Sequence, residues 1–178
     1  DASETLLTAI LDFVAGRLLG PSVADGVDHA VWVFADELAR FPRAIASIGD
    51  LAALGRSRGI RVVATAQSFA QLEEIRGRAG AEALIENFSK IIVCKTRPGR
   101  NAETLSELFV GKSTYEIPKT GKDGEPALER HPALSPQEMS TFLGLTTDWR
   151  GRKAIRAAVV GMRDIHILEW QLDRWPRI

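Results

Sequence analysis

The chain has 178 residues, 45% of them hydrophobic and 26% charged, which excludes a disordered, collagen-like or coiled-coil chain and fits a soluble globular one. Lysine plus arginine (23) equals aspartate plus glutamate (23), so the net charge is zero; any DNA contact has to come from a local patch or from parts of the protein outside this chain. The single cysteine, Cys94, excludes a disulfide framework and a cysteine-type zinc site, and a chain this long needs neither to bury a core.

Residues 5–19 place Leu6, Leu7, Ile10, Leu11, Val14 and Leu18 at spacings of three and four. That is one apolar helical face, with Asp1 and Glu4 as a capping box and Gly20-Pro21 as the stop. AVWVFA (30–35) is a continuous apolar run between Asp28 and Asp36, the pattern of a strand buried on both faces of a parallel sheet. Pro42 suits the first turn of a helix carrying Ile45, Ile48 and Leu51, closed by Gly59. IRVVATA (60–66) reads as a second buried strand. Ser68 and Gln71 cap a helix through Ile75, and another helix follows at 80–88.

KIIVCK (90–95) is the third apolar strand, and Asn101 is placed to cap a helix bearing Leu105, Leu108 and Phe109. Three alternations of strand and helix predict an α/β layered fold with a parallel sheet. Residues 118–132 are polar and rich in glycine and proline, as in an exposed loop or loose hairpin. Ser135-Pro136-Gln137-Glu138 is a helix start. AIRAAVVGM and IHILEWQL, joined at Arg163-Asp164, form an antiparallel pair at the sheet's edge. No apolar run is long enough to cross a bilayer, and no signal peptide is expected. The chain opens without a methionine, directly on a helical pattern, and is expected to be a piece of a longer protein.

The chemistry concentrates in VWVFADEL (31–38), where an apolar strand ends in Asp36-Glu37. In P-loop NTPases a carboxylate at such a strand end holds magnesium and the next acid polarises the attacking water. The bland alternative is an acidic pair that only solvates a strand end. The second strand ends in Ala64-Thr65-Ala66-Gln67-Ser68. Gln67 is either a γ-phosphate sensor beside Asp36 or merely the start of the next helix. In Gly55-Arg56-Ser57-Arg58-Gly59 the arginines either complement a helix C-terminus or offer an arginine finger to a neighbouring subunit.

Other stretches carry less. Gly111-Lys112-Ser113-Thr114 looks like the end of a phosphate loop, but Ser106 stands where its first glycine belongs and helix precedes it. No G-x-G-x-x-G supports a Rossmann site. His29, His131 and His166 are scattered without ligand spacing. Cys94, Trp32 and Trp170 are expected in the core, while Trp149 and Trp175 are candidates for a partner surface.

The order of motifs over 33–77, VFADELARFPRAIASIGDLAALGRSRGIRVVATAQSFAQLEEIRG, resembles the ATPase domain of type IV secretion coupling proteins, the TraD/TrwB/TraG group. The resemblance continues more loosely through AEALIENFSKIIV, NAETLSELFVGKSTYE, TGKDGEPALERHPALSPQEM and Trp175-Pro176. It implies a RecA-like P-loop NTPase core of parallel sheet flanked by helices, with antiparallel strands at its C-terminal edge and the phosphate-loop half lacking. The whole of 1–178 is then one partial nucleotide-binding domain: an α/β core over 1–117 with a Walker B-like strand, a polar loop over 118–134, and a helix with edge strands over 135–178.

The resemblance also implies ATP and Mg2+ as cofactors. Asp36 becomes the magnesium carboxylate and, with Gln67, a nucleotide contact. Glu37 becomes the catalytic carboxylate, Gln67 the γ-phosphate or DNA-coupling sensor, and Arg56 the finger reaching the next subunit. The implied partners are single- or double-stranded DNA with its relaxase, identical subunits in a ring (a hexamer in the family), and inner-membrane components of the secretion system. The implied place is the cytoplasmic face of the bacterial inner membrane, with the anchor outside this chain. The implied function is ATP-driven DNA translocation in conjugation, the isolated chain being inactive for want of a phosphate loop. Alternatives are a DNA-pumping ATPase of the FtsK/HerA kind, and a non-catalytic RecA-like module that docks secretion substrates.

Overall fold

A computed structural model describes residues 2–21, 31–110, 114–120, 126–148, 150–161 and 165–172; over 109–110, 114–120 and 126–132 the description is of the backbone. The expected cap at Asp1, the turn at Arg163-Asp164, His29, Trp149 and Trp175 lie outside these residues. The chain divides into two compact units, Asp1–Phe88 and Ser89–Ile178.

The first unit runs α1 (Ala2–Leu18), β1 (Val31–Ala35), α2 (Ile45–Leu54), β2 (Ile60–Ala64) and α3 (Phe69–Glu86). β1 and β2 pair in parallel, in register from Val31 opposite Ile60 to Ala35 opposite Ala64. Their inward face is covered: Ala15, Leu51 and Ile60 form a buried cluster, flanked by Leu18, Leu19, Val31, Val33 and Val62. α2 contributes Ile45, Ile48 and Leu51, each almost fully buried. Two polar ties add to this packing. The Ser47 hydroxyl donates to the Asp12 carboxylate, and Arg58 donates to the Gly20 carbonyl at 2.8 Å, satisfying an oxygen left over where α1 ends.

The apolar runs are not buried as their composition predicts. In β1, burial alternates residue by residue, and Trp32, at 57% exposure, is not a core residue. Trp32 and Phe34 stack on each other with ring centroids 6.0 Å apart, on the face opposite the α1 packing. The reason is that α1 and α2 cover one face of a two-stranded ladder, whereas the run of apolar residues was composed for two covered faces. In α1 the packing gathers at Ala15, Leu18 and Leu19, while Leu6, Leu7, Ile10 and Val14 of the expected face are exposed.

α3 begins as expected, with the Ser68 side chain accepting from the Gln71 backbone N–H. As expected, it is two helical segments, the break between them falling where Gly77 adopts φ 69°, ψ 164°. That conformation suits glycine alone and explains the gap in the apolar pattern there.

The second unit holds β3 (Ile91–Val93), α4 (Arg100–Leu105), β4 (Thr114–Thr120), β5 (Pro126–Pro132), α5 (Pro136–Thr141), β6 (Gly144–Thr147), β7 (Lys153–Val160) and β8 (His166–Gln171). β7 organises the sheet. One edge pairs antiparallel with β8 from Ala154 opposite Gln171 to Val159 opposite His166. The other edge is shared, residues 153–156 pairing with β6 and 158–160 with β3. β3 was expected to extend the parallel alternation; its ladder here is antiparallel, with 91–93 pairing along the part of the β7 edge that β6 does not occupy. Val93, Leu134, Met139, Leu143 and Ala158 form the core, with Ile91, Leu105, Val160 and Ile165 against them.

Several local expectations change in this unit. Gly99, not Asn101, occupies the N-cap of α4. Cys94 lies past the end of β3 and is exposed, and Trp170 is 38% exposed. The polar stretch forms a regular antiparallel ladder, from Thr114 opposite Pro132 to Thr120 opposite Pro126. The start of α5 is as read from sequence: Ser135 accepts from the Glu138 N–H, and Glu138 accepts from the Ser135 N–H at 2.7 Å. The Ser135 N–H first, and then the Ser135 hydroxyl donating to the same oxygen at 2.7 Å, hold the Glu138 carboxyl below its ordinary range.

Candidate functional site at the ends of the parallel strands

Where a parallel pair ends, its carboxyl-terminal side gathers whatever polar residues follow each strand. Here those are Asp36-Glu37 after β1 and Thr65-Ala66-Gln67 after β2. The two strand ends are stitched together first by backbone: the Thr65 N–H donates to the Ala35 carbonyl at 2.9 Å, and the Leu38 N–H donates to the Thr65 carbonyl at 2.8 Å.

Side chains complete the arrangement. The Gln67 amide Nε2 donates to Glu37 Oε1 at 2.7 Å. Arg40, one turn on in the short helix Leu38–Arg40, pairs with Glu37 Oε2 at 3.0 Å. The Thr65 hydroxyl donates to Asp36 Oδ1 at 2.6 Å and accepts from the Glu37 N–H at 2.9 Å. Glu37 itself sits at φ 49°, ψ 55° and is the one non-glycine residue with positive φ among the described residues. A left-handed glutamate costs about 1–2 kcal/mol, so its surroundings must hold it there.

The left-handed turn has a chemical effect. Two adjacent carboxylates would repel if they shared a site; here Asp36 is engaged by Thr65 and Glu37 by Gln67 and Arg40. Beside them opens a cleft of about 520 Å3, with Glu37, Arg40, Gln67, Gln71 and Glu74 as its polar lining.

Asp36, Glu37 and Gln67 are thus brought together. Arg56 is not with them: it lies in the turn Arg56–Arg58 ahead of β2, whereas Gln67 follows that strand. A five-residue strand separates the two by roughly 16 Å. The Arg56 side chain is exposed. Residues 111–113 of the rejected phosphate-loop match lie outside the described residues, and the segment Ser106–Val110 before them is a π-helical turn. Sequence reading missed Thr65 and Arg40. Arg40 carries a signal, three residues after Glu37 on a short helix; Thr65 carries only its polar character at the end of an apolar run.

A magnesium ion suits the acid at 36. Asp36 is exposed, and among the described residues only its Oδ1 is engaged. Mg2+ keeps several waters and needs one or two carboxylates beside phosphate oxygens. No group of three or more histidine, cysteine, aspartate or glutamate side chains among the described residues could hold a metal by itself.

The family model of the type IV secretion-system coupling protein DNA-binding domain matches residues 1–165. The chain belongs to that family. No curated protein matches it. Among solved structures, the bacterial conjugative coupling protein TrwBdeltaN70 in its unbound monoclinic form matches with a TM-score of 0.71 at 26% identity, over 98% of this chain and 40% of that one. Plasmid coupling protein TrwB in complex with ADP and Mg2+ matches with a TM-score of 0.71 at 26% identity, over 98% of this chain and 38% of that one. TrwB in complex with the non-hydrolysable ATP analogue ADPNP matches with a TM-score of 0.69 at 27% identity, over 98% and 39%. This coupling-protein chain therefore has the RecA-like α/β fold of TrwB and spans about 40% of the length of those relatives. Among the described residues no helix is long and apolar enough to cross a membrane.

Proposed function

We propose that the chain is part of a ring-forming ATPase that couples ATP hydrolysis to the movement of DNA, with its attached relaxase, during conjugation or type IV secretion. The observation that carries this reading is the hydrogen bond from Gln67 to Glu37 across the carboxyl ends of two adjacent parallel strands, with Asp36 beside it. Family membership and the nucleotide and Mg2+ named for TrwB support ATP and Mg2+ as the ligands of this strand end.

In the proposed mechanism Asp36 holds the cation that accompanies the triphosphate. Magnesium held there would neutralise charge that develops on the phosphate oxygens. Glu37 accepts a hydrogen bond from the attacking water and orients it. Gln67, tied to Glu37, reports whether the terminal phosphate is present. Arg56, at the opposite end of β2 from its own Glu37, acts on the site of an adjacent subunit. A guanidinium offered there stabilises the transferring phosphoryl group of the neighbour. The ring, the relaxase, the inner-membrane components and the placement on the cytoplasmic face of that membrane belong to the same proposal.

The sequence holds no G-x-x-x-x-G-K-[ST], so the 178-residue chain alone is expected to turn over no ATP. The test belongs in the full-length protein. Glu37→Gln is expected to abolish turnover while nucleotide binding survives, and mixing it with Arg56→Ala subunits is expected to restore part of the activity. Full ATPase activity in Glu37→Gln overturns the catalytic assignment. Absence of rescue at every mixing ratio overturns the role of Arg56 between subunits.

A further inference from the structure

One residue in the strand-end cluster is bonded through every polar group it owns and has no role in the scheme above. Thr65 uses every hydrogen-bonding group it owns on residues 35–38: its N–H on the Ala35 carbonyl, its carbonyl on the Leu38 N–H, and its hydroxyl both as donor to Asp36 Oδ1 and as acceptor from the Glu37 N–H. The backbone pair of bonds would form with any residue at 65. The hydroxyl pair requires a group that donates and accepts at once. Packing does not require it, since Thr65 is exposed.

We propose that Thr65 is a positioning residue for magnesium: its hydroxyl fixes the Asp36 carboxylate and, through the same oxygen, holds the left-handed backbone of Glu37. The inference rests on the reading of Asp36 and Glu37 given above. The physical reasoning has two steps. A bond of 2.6 Å from hydroxyl to carboxylate is short and charge-assisted, so it selects one orientation of Asp36 and leaves Oδ2 for the cation. A second bond, donated to the same hydroxyl oxygen by the N–H of a residue in a costly conformation, and shared by that N–H with Asp36 Oδ1 at 3.1 Å, offsets the strain of the left-handed turn at Glu37. Partners that orient a metal's carboxylate from behind are worth about 10- to 100-fold in metal affinity or activity.

Thr65→Val removes the hydroxyl at nearly constant shape, and Thr65→Ser keeps it. In the full-length protein, calorimetric titration of ADP at a series of Mg2+ concentrations reads the cation's contribution to binding without turnover. Thr65→Val is expected to raise the half-saturating Mg2+ about 10-fold or more, with ADP binding in chelator unchanged and the thermal midpoint within a few degrees of the parent. Thr65→Ser is expected to return the Mg2+ dependence to within about threefold of the parent. If the valine variant does not fold, Thr65→Ala takes its place in the same titration. An unchanged Mg2+ dependence in the hydroxyl-free variant overturns the proposal for Thr65, as does a loss that serine fails to restore. Asp36→Asn run in parallel separates the two readings: if it too leaves Mg2+ dependence untouched, the assignment of the strand end as a magnesium site has failed, and not merely the role of Thr65.

Discussion

The same substitution, glycine to alanine, is expected to act with opposite sign at two glycines of the first unit. At Gly55 a methyl group would stand 2.5 Å from the Leu51 carbonyl oxygen, 2.7 Å from Ile60 Cβ and 3.0 Å from Ile60 Cδ1. Gly55 is where α2 turns into β2: its N–H donates to the Leu51 carbonyl at 3.0 Å, and its carbonyl accepts from the Ile60 N–H at 2.9 Å. The backbone there has φ −77°, so alanine meets no conformational bar; the obstacle is volume. Relieving it means moving the last turn of α2 off the first residue of β2. Overpacking of this kind costs about 1–3 kcal/mol, against a gain of about 0.4–1 kcal/mol from a stiffer unfolded chain.

At Gly16, exposed within α1, nothing lies within 4 Å of the added methyl, and alanine is the better helix former by about 1 kcal/mol. Gly55→Ala is therefore expected to lower the thermal unfolding midpoint by about 2–8 °C and Gly16→Ala to raise it by about 2–4 °C, at 2–4 °C per kcal/mol for a chain of this size. Circular dichroism melts of the two variants beside the parent check both. A neutral or stabilising Gly55→Ala would falsify the close-approach argument, because the unfolded-state gain would then be all that was left.

Two further expectations concern the second unit. Ser135→Ala removes the cap of α5 and is expected to cost about 1 kcal/mol in urea melts at neutral pH. Glu138, whose carboxyl is held low chiefly by the Ser135 backbone bond, contributes stability that is present above the ordinary glutamate value near 4.3 and fades as pH falls through its lower folded value. The difference between parent and Glu138→Gln is thus expected to shrink as pH falls from 6 to 3; a difference that grows contradicts the sign. Met139→Ala, at a fully buried side chain of the Val93–Leu134–Leu143 cluster, is expected to cost about 2–5 kcal/mol, read as a loss of urea midpoint. A cost below 1 kcal/mol would show that the cluster is not the core of this unit.

Local signals survived the passage from sequence to structure where the cause was local. Ser135-x-x-Glu138 and Ser68-x-x-Gln71 mark helix starts because the bonds they announce lie within four residues. The neighbourhood of the strands ending at Ala35 and Ala64 was legible because a short helix between two apolar runs leaves a parallel pairing as the natural solution. Ladder partners further along the chain were not legible. Nothing in Lys90–Lys95 announces that the strand pairs with residues 158–160 rather than with another parallel strand, since an apolar run has the same pattern in either ladder. Burial was misread for a related reason. Trp32 and Phe34 have the composition of a doubly covered strand, but composition does not say which segment lies over each face. Thr65 escaped notice because a threonine at a strand end is common, and its importance lies in four bonds to a segment about thirty positions away in sequence.

The bonds on Glu37 differ in cost, and the difference bears on how such a residue works. Its backbone is fixed by bonds that would have to break together: its N–H donates to the Thr65 hydroxyl, its carbonyl accepts from the Arg40 N–H, and the N–H of the next residue donates to the Thr65 carbonyl. Its carboxylate is fixed by cheaper ones. The Arg40 side chain is 74% exposed, and an exposed ion pair is worth about 0–1 kcal/mol; the Gln67 bond is likewise at the surface and exchanges for water at little net cost. The turn therefore stays put while the carboxylate can release Gln67 or Arg40 for a new ligand. A group that must accept a bond from water in one state and give it up in the next needs that division between a rigid backbone and a lightly held side chain, and a left-handed residue clamped from the adjacent strand supplies it.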